Sequence, residues 1–239
     1  MKSTDLDNDG DNDLILGNLG LNSRMKADSL HPARLYINDF DQNGAIEQVI
    51  TSYTEDGKAY PLVLKANLEK QLPLIKKRFI ENNKYAGKQI EEIFSKEELQ
   101  ESIKKEAYQS RSQLLINKSN GIFEFKSLPV AAQYSPVYAI ETMDFDHDGK
   151  TDIVLAGNFF DVIPEMGQYD ASYGLVLKGL GNNEFEPVDS RSGFFVRGQV
   201  RNIAKLKDAK GVELLFVVRN NSAASIFTLG RQETRQAEH

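Results

Sequence analysis

The chain has no cysteine and only three histidines among its 239 residues, and it has no apolar run of the roughly 18 residues that a membrane-spanning helix needs. Without cysteine there is no disulfide framework and no thiol chemistry, although this says little about compartment. The histidines are poorly placed for catalysis: His31 stands beside Pro32, His147 lies among acidic residues, and His239 ends the chain. None has a partner in sequence that would make it a general base, so the residues point to a non-enzymatic protein. A basic face is lacking too. Lys76, Lys77 and Arg78 share their segment with Glu69, Glu81, Glu91 and Glu92, the composition of a solvated helix surface and not of a nucleic-acid site.

What the chain does have is acid in a pattern. Its net charge is −6, and much of the acid is committed to three stretches: DLDNDGDND from Asp5 to Asp13, DFDQNGAIE from Asp39 to Glu47, and DFDHDGKTD from Asp144 to Asp152. Each reads DxDxDGxxD with conservative variation. Calcium takes six to eight oxygen ligands at about 2.3–2.6 Å, which suits carboxylates at alternating positions of a tight turn plus a carbonyl. The first stretch offers Asp5, Asp7 and Asp9, the carbonyl of Asp11, and in Asp13 a last carboxylate able to bind through both oxygens, with Gly10 supplying the bend. The second offers Asp39, Asp41, Asn43, the carbonyl of Ala45 and Glu47 around Gly44, one charge weaker through its Asn. The third offers Asp144, Asp146, Asp148, the carbonyl of Lys150 and Asp152 around Gly149. Asp, Asn and Gly also crowd into ordinary turns, because they accept left-handed backbone and bond their own backbone. Three copies in one register favour up to three Ca2+ sites over three chance turns. Loops that close around calcium leave little open coordination, which suits a structural ion better than a catalytic one.

The residues after each stretch decide the fold. An EF-hand needs Glu at the twelfth position and a helix beyond it, whereas these positions hold Leu16, Ile50 and Leu155. The exits LILGN, QVITSY and IVLAGN read as buried strands, as do RLYIN and VYAIETM ahead of the second and third stretches. The acidic stretches are therefore predicted to be turns of β-hairpins.

An acidic loop followed by an apolar strand and Gly-Asn, as at Gly17-Asn18 and Gly157-Asn158, resembles the FG-GAP or VCBS repeats of integrin-α-type β-propellers. The segments LLINKSNGIFEF, PVYAIETMDFDHDGKTDIVLAGN, YDASYGLVLKGLGNNEFEPV and SGFFVRGQVRNI are similar, more narrowly, to bacterial proteins related to cartilage acidic protein. The resemblance covers most of the chain. It implies four-stranded antiparallel blades with calcium in a hairpin, and an extracellular, cell-surface or periplasmic setting.

The expected fold class is thus mainly β: a partial β-propeller of about three to four antiparallel blades with a helical insertion. At 239 residues and 40% apolar content the chain could form one large β domain or two small ones. Residues 1–60 are expected to carry β repeats with two acidic loops, 61–110 a helical insertion, 111–230 β repeats with one loop and one degenerate copy, and 231–239 a disordered tail. The degenerate copy appears when Gly149 is aligned with Gly211: Leu206, Asp208, Lys210 and Leu214 then stand at ligand positions, which keeps a hairpin and loses the metal. Asp5 and Asp39 are closer than one blade of about 40–50 residues, so their loops are expected on neighbouring hairpins and not at equivalent blade positions. Residues 1–4 look too short to supply the strand that should precede Asp5. The chain is accordingly expected to be a piece of a longer protein, with any leader upstream.

Within the insertion, Pro73 is placed for a first helical turn ahead of Leu74, Ile75 and Phe79, with Asn82 and Asn83 ending the helix. A second helix is expected over YAGKQIEEIF, aligning Tyr85 or Ala86 with Ile90, Ile93 and Phe94, and a third from the capping box Ser95/Glu98 through Leu99, Ile103 and Ala107. These helices are expected to pack an apolar stripe on the propeller or over a sheet edge; a lid or partner site is the other use of a long insertion. The segment GQYDASYG, with Tyr169, Asp170, Ser172 and Tyr173, lies between strands where propellers keep binding residues, and packed aromatics are its simpler explanation.

These readings converge on a calcium-stabilised binding or adhesion scaffold, with a protein or glycan ligand that the sequence does not name. No nucleic acid and no membrane span are expected, and self-association through open sheet edges is. The alternatives are an accessory, non-catalytic part of a polysaccharide-processing enzyme, or a plain spacer.

Overall fold

The computed structural model describes residues 1–163, 166–188 and 192–228; the expected tail at 231–239 lies outside them. The chain opens with β1 (Lys2–Thr4) and β2 (Asp13–Leu16). It then forms β3 (Ala33–Asn38), β4 (Glu47–Tyr53) and β5 (Ala59–Pro61), followed by short helices α1 (Lys65–Gln71), α2 (Leu74–Arg78), α3 (Asn82–Tyr85), α4 (Ile90–Ile93) and α5 (Lys96–Glu101). β6 (Ile103–Ala107) leads to β7 (Gln113–Asn117), β8 (Phe123–Ser127), β9 (Val137–Met143), β10 (Asp152–Gly157), β11 (Leu175–Gly181) and β12 (Glu184–Val188). The last described strands are β13 (Gln199–Lys207), β14 (Glu213–Asn220) and β15 (Ser225–Thr228). All pairings are antiparallel, in four sheets ordered β1-β2-β7-β8, β5-β4-β3-β6, β12-β11-β10-β9 and β13-β14-β15. The chain is mainly β, as its alternating and short apolar runs require, and no described helix is long and apolar enough to cross a membrane.

Two compact units divide the sheets: Ser23–Ser110, and Met1–Asn22 together with the chain from Arg111. The expected block 1–60 therefore does not hold together. Its first hairpin pairs with strand β7, beyond the insertion, through Leu14–Leu115 and Ile15–Leu114, while its second hairpin belongs with the helices. The first two acidic loops consequently lie in different units.

In the larger unit, the period-2 alternation of strands explains the contiguous apolar run of β10, which is buried throughout. Ile153 and Leu155 pack with Ile15, Leu114 and Ile116 of the first sheet, whereas Val154 and Ala156 pack with Ile203, Leu215 and Val217 of the sheet that follows. The middle sheet is thus covered on both faces at β10, whose sequence after Asp152 reads as an unbroken apolar run for that reason. The glycines of the Gly-Asn pairs allow close approach. A Cβ on Gly157 would stand 1.7 Å from the Pro136 carbonyl oxygen, and one on Gly17 2.4 Å from that of Val137.

The smaller unit builds its core from one sheet and the helices. Tyr36, Phe40 and Val49 meet Leu68, Leu72, Ile75, Phe79, Tyr85, Ile90, Ile93, Phe94 and Leu99. The helices' apolar stripe covers a face of this unit's own sheet.

Three local expectations are corrected. Lys2–Thr4 does form the strand before the first loop, pairing Lys2 with Ile15 and Thr4 with Asp13; three residues suffice because β2 has β7 on its other side. Asn82 starts a helix and does not end one. The third expected helix begins at its capping box, with Ser95 Oγ accepting from Glu98 N at 3.2 Å, but stops at Glu101. Ile103–Ala107 instead pairs along β3, where an open strand edge offers a hydrogen-bond partner for each alternate residue. Its exposed Lys104, Lys105 and Glu106 suit an edge strand.

Candidate metal centres

Each acidic loop joins two neighbouring antiparallel strands in the same register. Thr4 pairs with Asp13, Asn38 with Glu47 and Met143 with Asp152, so the ninth loop residue is the first of the returning strand. The backbones match as well. The fourth positions, Asn8, Gln42 and His147, have φ of 61°, 57° and 61°, and the glycines Gly10, Gly44 and Gly149 have 94°, 88° and 82°. Nothing lies within 4 Å of a Cβ built on these glycines, so they are required by conformation and not by space.

That backbone turns its own N–H groups onto the first carboxylate. Asp5 accepts from Gly10 N at 3.1 Å, Asp39 from Asn43 N and Gly44 N at 3.0 and 2.8 Å, and Asp144 from Asp148 N and Gly149 N at 3.0 Å each. The fifth positions hold the second half of the turn: Asp9, Asn43 and Asp148 accept from Asp11 N, Ala45 N and Lys150 N at 2.9, 2.7 and 3.0 Å. The ninth carboxylate is buried, and accepts the N–H of the second loop residue: Leu6 to Asp13 at 2.9 Å, Phe40 to Glu47 at 3.0 Å, Phe145 to Asp152 at 2.6 Å.

Positions one, three and nine converge in every copy. Asp5, Asp7 and Asp13 bring one oxygen each within 4.8 Å of one another, and so do Asp39, Asp41 and Glu47, and Asp144, Asp146 and Asp152. Of the remaining expected ligands, the side chains of Asp9, Asn43 and Asp148 are engaged in the turn, and the carboxylates of Asp9 and Asp148 stand outside these trios. The seventh residues Asp11, Ala45 and Lys150 are fixed there through their N–H groups, the chain position from which a carbonyl ligand would come.

Three carboxylates in one small space repel one another. Burial pushes the carboxyls of Asp13, Glu47 and Asp152 above the usual range, opposed by their N–H donors. The neighbouring acids add to the rise: Asp7 and Asp9 on Asp13, Asp41 and Asp39 on Glu47, Asp146 and Asp148 on Asp152. Asp5 Oδ1, Asp7 Oδ1 and Asp41 Oδ1 are buried with no hydrogen-bond partner among the described residues. Buried oxygens without a donor are rare, because each forfeits its hydration. An all-oxygen, negatively charged cluster fits a hard cation, so all three groups could hold a metal ion.

Several contacts could not be read from sequence. Asp13 Oδ1 also accepts from Asn117 N of β7 at 2.8 Å, and Asp152 Oδ1 from Gly179 N of β11 at 2.7 Å, so these carboxylates tie loop, hairpin and third strand together. Lys178 on β11 reaches Asp146, and Asp148 Oδ2 at 3.2 Å, and these acids raise its ammonium pKa. In the first loop Asp7 Oδ2 instead accepts from Asn183 Nδ2 at 2.8 Å, and Asp11 Oδ2 from Ser119 Oγ at 2.6 Å. A signal for Asn158 existed in the Gly-Asn pair. Its buried amide donates to the carbonyls of Ser172 and Gly198 at 2.7 and 3.1 Å, and accepts from Ser135 Oγ at 2.7 Å and Ser172 N at 3.1 Å.

The degenerate copy is a plain hairpin. Leu206 faces Leu214 across β13 and β14, and Asp208 Oδ1 accepts from Lys210 N and Val212 N at 2.8 Å, with Gly211 at φ 80°.

Opposite expectation, Tyr173 is half exposed. Its ring stacks on that of Phe195 at 5.2 Å and 5° between planes, with the Arg197 guanidinium 5.8 and 5.6 Å from the two centroids. Tyr169 makes a two-bond bridge to Phe159.

The chain matches no protein-family model, no curated protein and no solved structure.

Proposed function

We propose that this protein is a non-enzymatic, calcium-binding repeat module of the FG-GAP/VCBS type, its sheets serving as blades of a partial β-propeller in a secreted or surface bacterial protein. The observation that carries the reading is the threefold recurrence of one loop geometry, with carboxylates at positions one, three and nine converging on one point. Calcium is favoured over magnesium because the donor set is rich in carboxylate and set in an irregular turn, whereas magnesium demands a near-ideal octahedron and keeps its waters. The residues that would hold the ion are Asp5, Asp7 and Asp13, Asp39, Asp41 and Glu47, and Asp144, Asp146 and Asp152, with the fifth side chains and seventh carbonyls completing each shell. A bound ion would supply charge neutralisation and no reaction step. The side chains themselves fix the turn, and through Asp13 and Asp152 the third strand.

The biological role is binding or adhesion. The stacked Tyr173–Phe195 pair under Arg197 supports it, because an exposed flat aromatic surface beside a guanidinium suits sugar rings and planar side chains. The same surface would serve an accessory part of a polysaccharide-processing enzyme. Chelation of the full chain followed by thermal melting tests the calcium reading: the melt is expected to fall with chelator and recover with calcium far better than with magnesium, and an unchanged melt refutes it. A glycan and protein array tests the binding role, with Tyr173→Ala and Phe195→Ala expected to abolish whatever signal the parent gives; silence of the parent array leaves the spacer reading in its place.

A further inference from the structure

We propose that Asn183, in the turn between β11 and β12, is a ligand of the cation at the first loop, supplied from a different sheet, so that this ion fastens the first sheet of its unit to the second. The proposal rests on the cation reading above and adds a residue that lies far from any acidic stretch in sequence.

Asn183 is 7% exposed, although it sits in a hairpin turn whose other Asn, Asn182, is exposed. Both have left-handed backbone, φ 52° and 58°, which explains why the turn is written Asn-Asn. Turn chemistry does not explain why one of the two is buried against an acidic loop. The Asn183 amide donates through Nδ2 to Asp7 Oδ2 at 2.8 Å, and its Oδ1 is buried with no partner among the described residues. Asp7 Oδ1 and Asp5 Oδ1 are likewise buried without a donor. One contact between two sheets therefore contains three buried oxygens that lack a donor among the described residues, and one of them belongs to a neutral amide.

A carboxamide presents N–H2 or C=O according to a half-turn about one bond. Beside a bare carboxylate the N–H2 must face it, as it does here. With a divalent cation on Asp7 the preference reverses, because an amide oxygen is a good hard-cation ligand and an N–H2 is repelled. The same half-turn gives the orphaned Oδ1 a partner. The third loop is arranged otherwise: there Lys178, from β11 of the same sheet, brings its own positive charge to Asp146 and Asp148.

The test uses the full chain and hydrogen exchange resolved by peptide, read against calcium concentration, so that each loop reports its own midpoint. Asn183→Gly removes the amide while keeping the turn's backbone relaxed, and Asn183→Asp keeps the turn and offers a charged oxygen. For Asn183→Gly the first-loop midpoint is expected about tenfold higher, and calcium is expected to stop protecting the 182–185 turn. For Asn183→Asp that midpoint is expected to fall below the parent's, while the second and third loops keep theirs. A residue that merely donated to Asp7 would give the opposite sign, a weaker site in Asn183→Asp, and that result overturns the proposal. An unmoved midpoint in Asn183→Gly overturns it as well. If no loop of the parent responds to calcium, the cation reading itself fails, and the two failures are told apart.

Discussion

The hairpins β9–β10 and β13–β14 align in sequence on Gly149 and Gly211, yet they pair in registers one place apart and are closed by different means. In the second, Leu206 lies opposite Leu214 and the turn is finished by Asp208 with the N–H groups of Lys210 and Val212. In the first, Asp144 and Asp152 occupy the corresponding places, Asp146 joins them, and the buried Asp152 also holds a strand outside the hairpin. A hairpin of this sheet type therefore needs no ion to form. The acidic version places like charges together and gains a grip on the third strand, and on the proposed reading a cation offsets the repulsion.

If that contrast is right, chelation should act on the acidic hairpins and spare the plain one. At ten times its dissociation constant an ion stabilises the fold by about 1.4 kcal/mol per site, so three sites supply about 4 kcal/mol. For a chain of this size that corresponds to a melt lowered by about 10 °C, measured by scanning calorimetry. Hydrogen exchange should localise the loss, with β9–β10 deprotected and β13–β14 unchanged.

Asp152→Ala sharpens the comparison from the other side. It strips the acceptor from Phe145 N and Gly179 N, and a buried unpaired donor costs about 1–3 kcal/mol, so the variant should remain destabilised by about 2 kcal/mol even in chelator. Leu214→Ala in the plain hairpin, where the side chain is only half buried, should cost about 1 kcal/mol and be indifferent to calcium. Urea denaturation of both variants, with and without calcium, measures the difference.

The pH response should differ with the ion. In the stripped protein Asp13, Glu47 and Asp152 have carboxyls raised above their unfolded values, so their contribution is fully favourable below the unfolded pKa and is lost as pH rises through the folded one. On going from pH 7 toward pH 5 these three groups should therefore favour the stripped fold, against the opposite trend from Asp28, Asp56, Glu92, Glu106 and Asp148, whose carboxyls are held below the usual range. In excess calcium the melt should fall over the same range, because protons displace the ion. Melts at both pH values, each with chelator and with calcium, check the difference. The smallest effect is expected from Lys178→Met, which frees Asp146 and Asp148 and should tighten the third loop about threefold in calcium titrations.

The recurring loops were legible because everything that shapes them is local: acids at fixed offsets, a residue with positive φ at position four, and Gly at position six. The hairpins followed from the apolar runs beside them. Lys2–Thr4 and Ile103–Ala107 were misread because their pairing depends on β2 and β3 already standing in a sheet, and a three-residue run or a capping box does not encode its neighbour. The cross-strand bonds of Asp13 and Asp152, the Lys178 bridge and the Asn183 contact join residues that are near only after folding. The split of the first 60 residues between two units has the same origin, since β2 is paired by a strand that begins at Gln113.

Converging carboxylates should bind cations where the ligandless copy does not. Native mass spectrometry of the stripped full chain, titrated with calcium, counts the ions. Saturation is expected at three ions per chain, falling to two when Asp144 and Asp152 are both changed to Asn and staying at three when Asp208 is changed to Asn. A chain that takes up no calcium, or whose count ignores the first pair of substitutions, would contradict this reading.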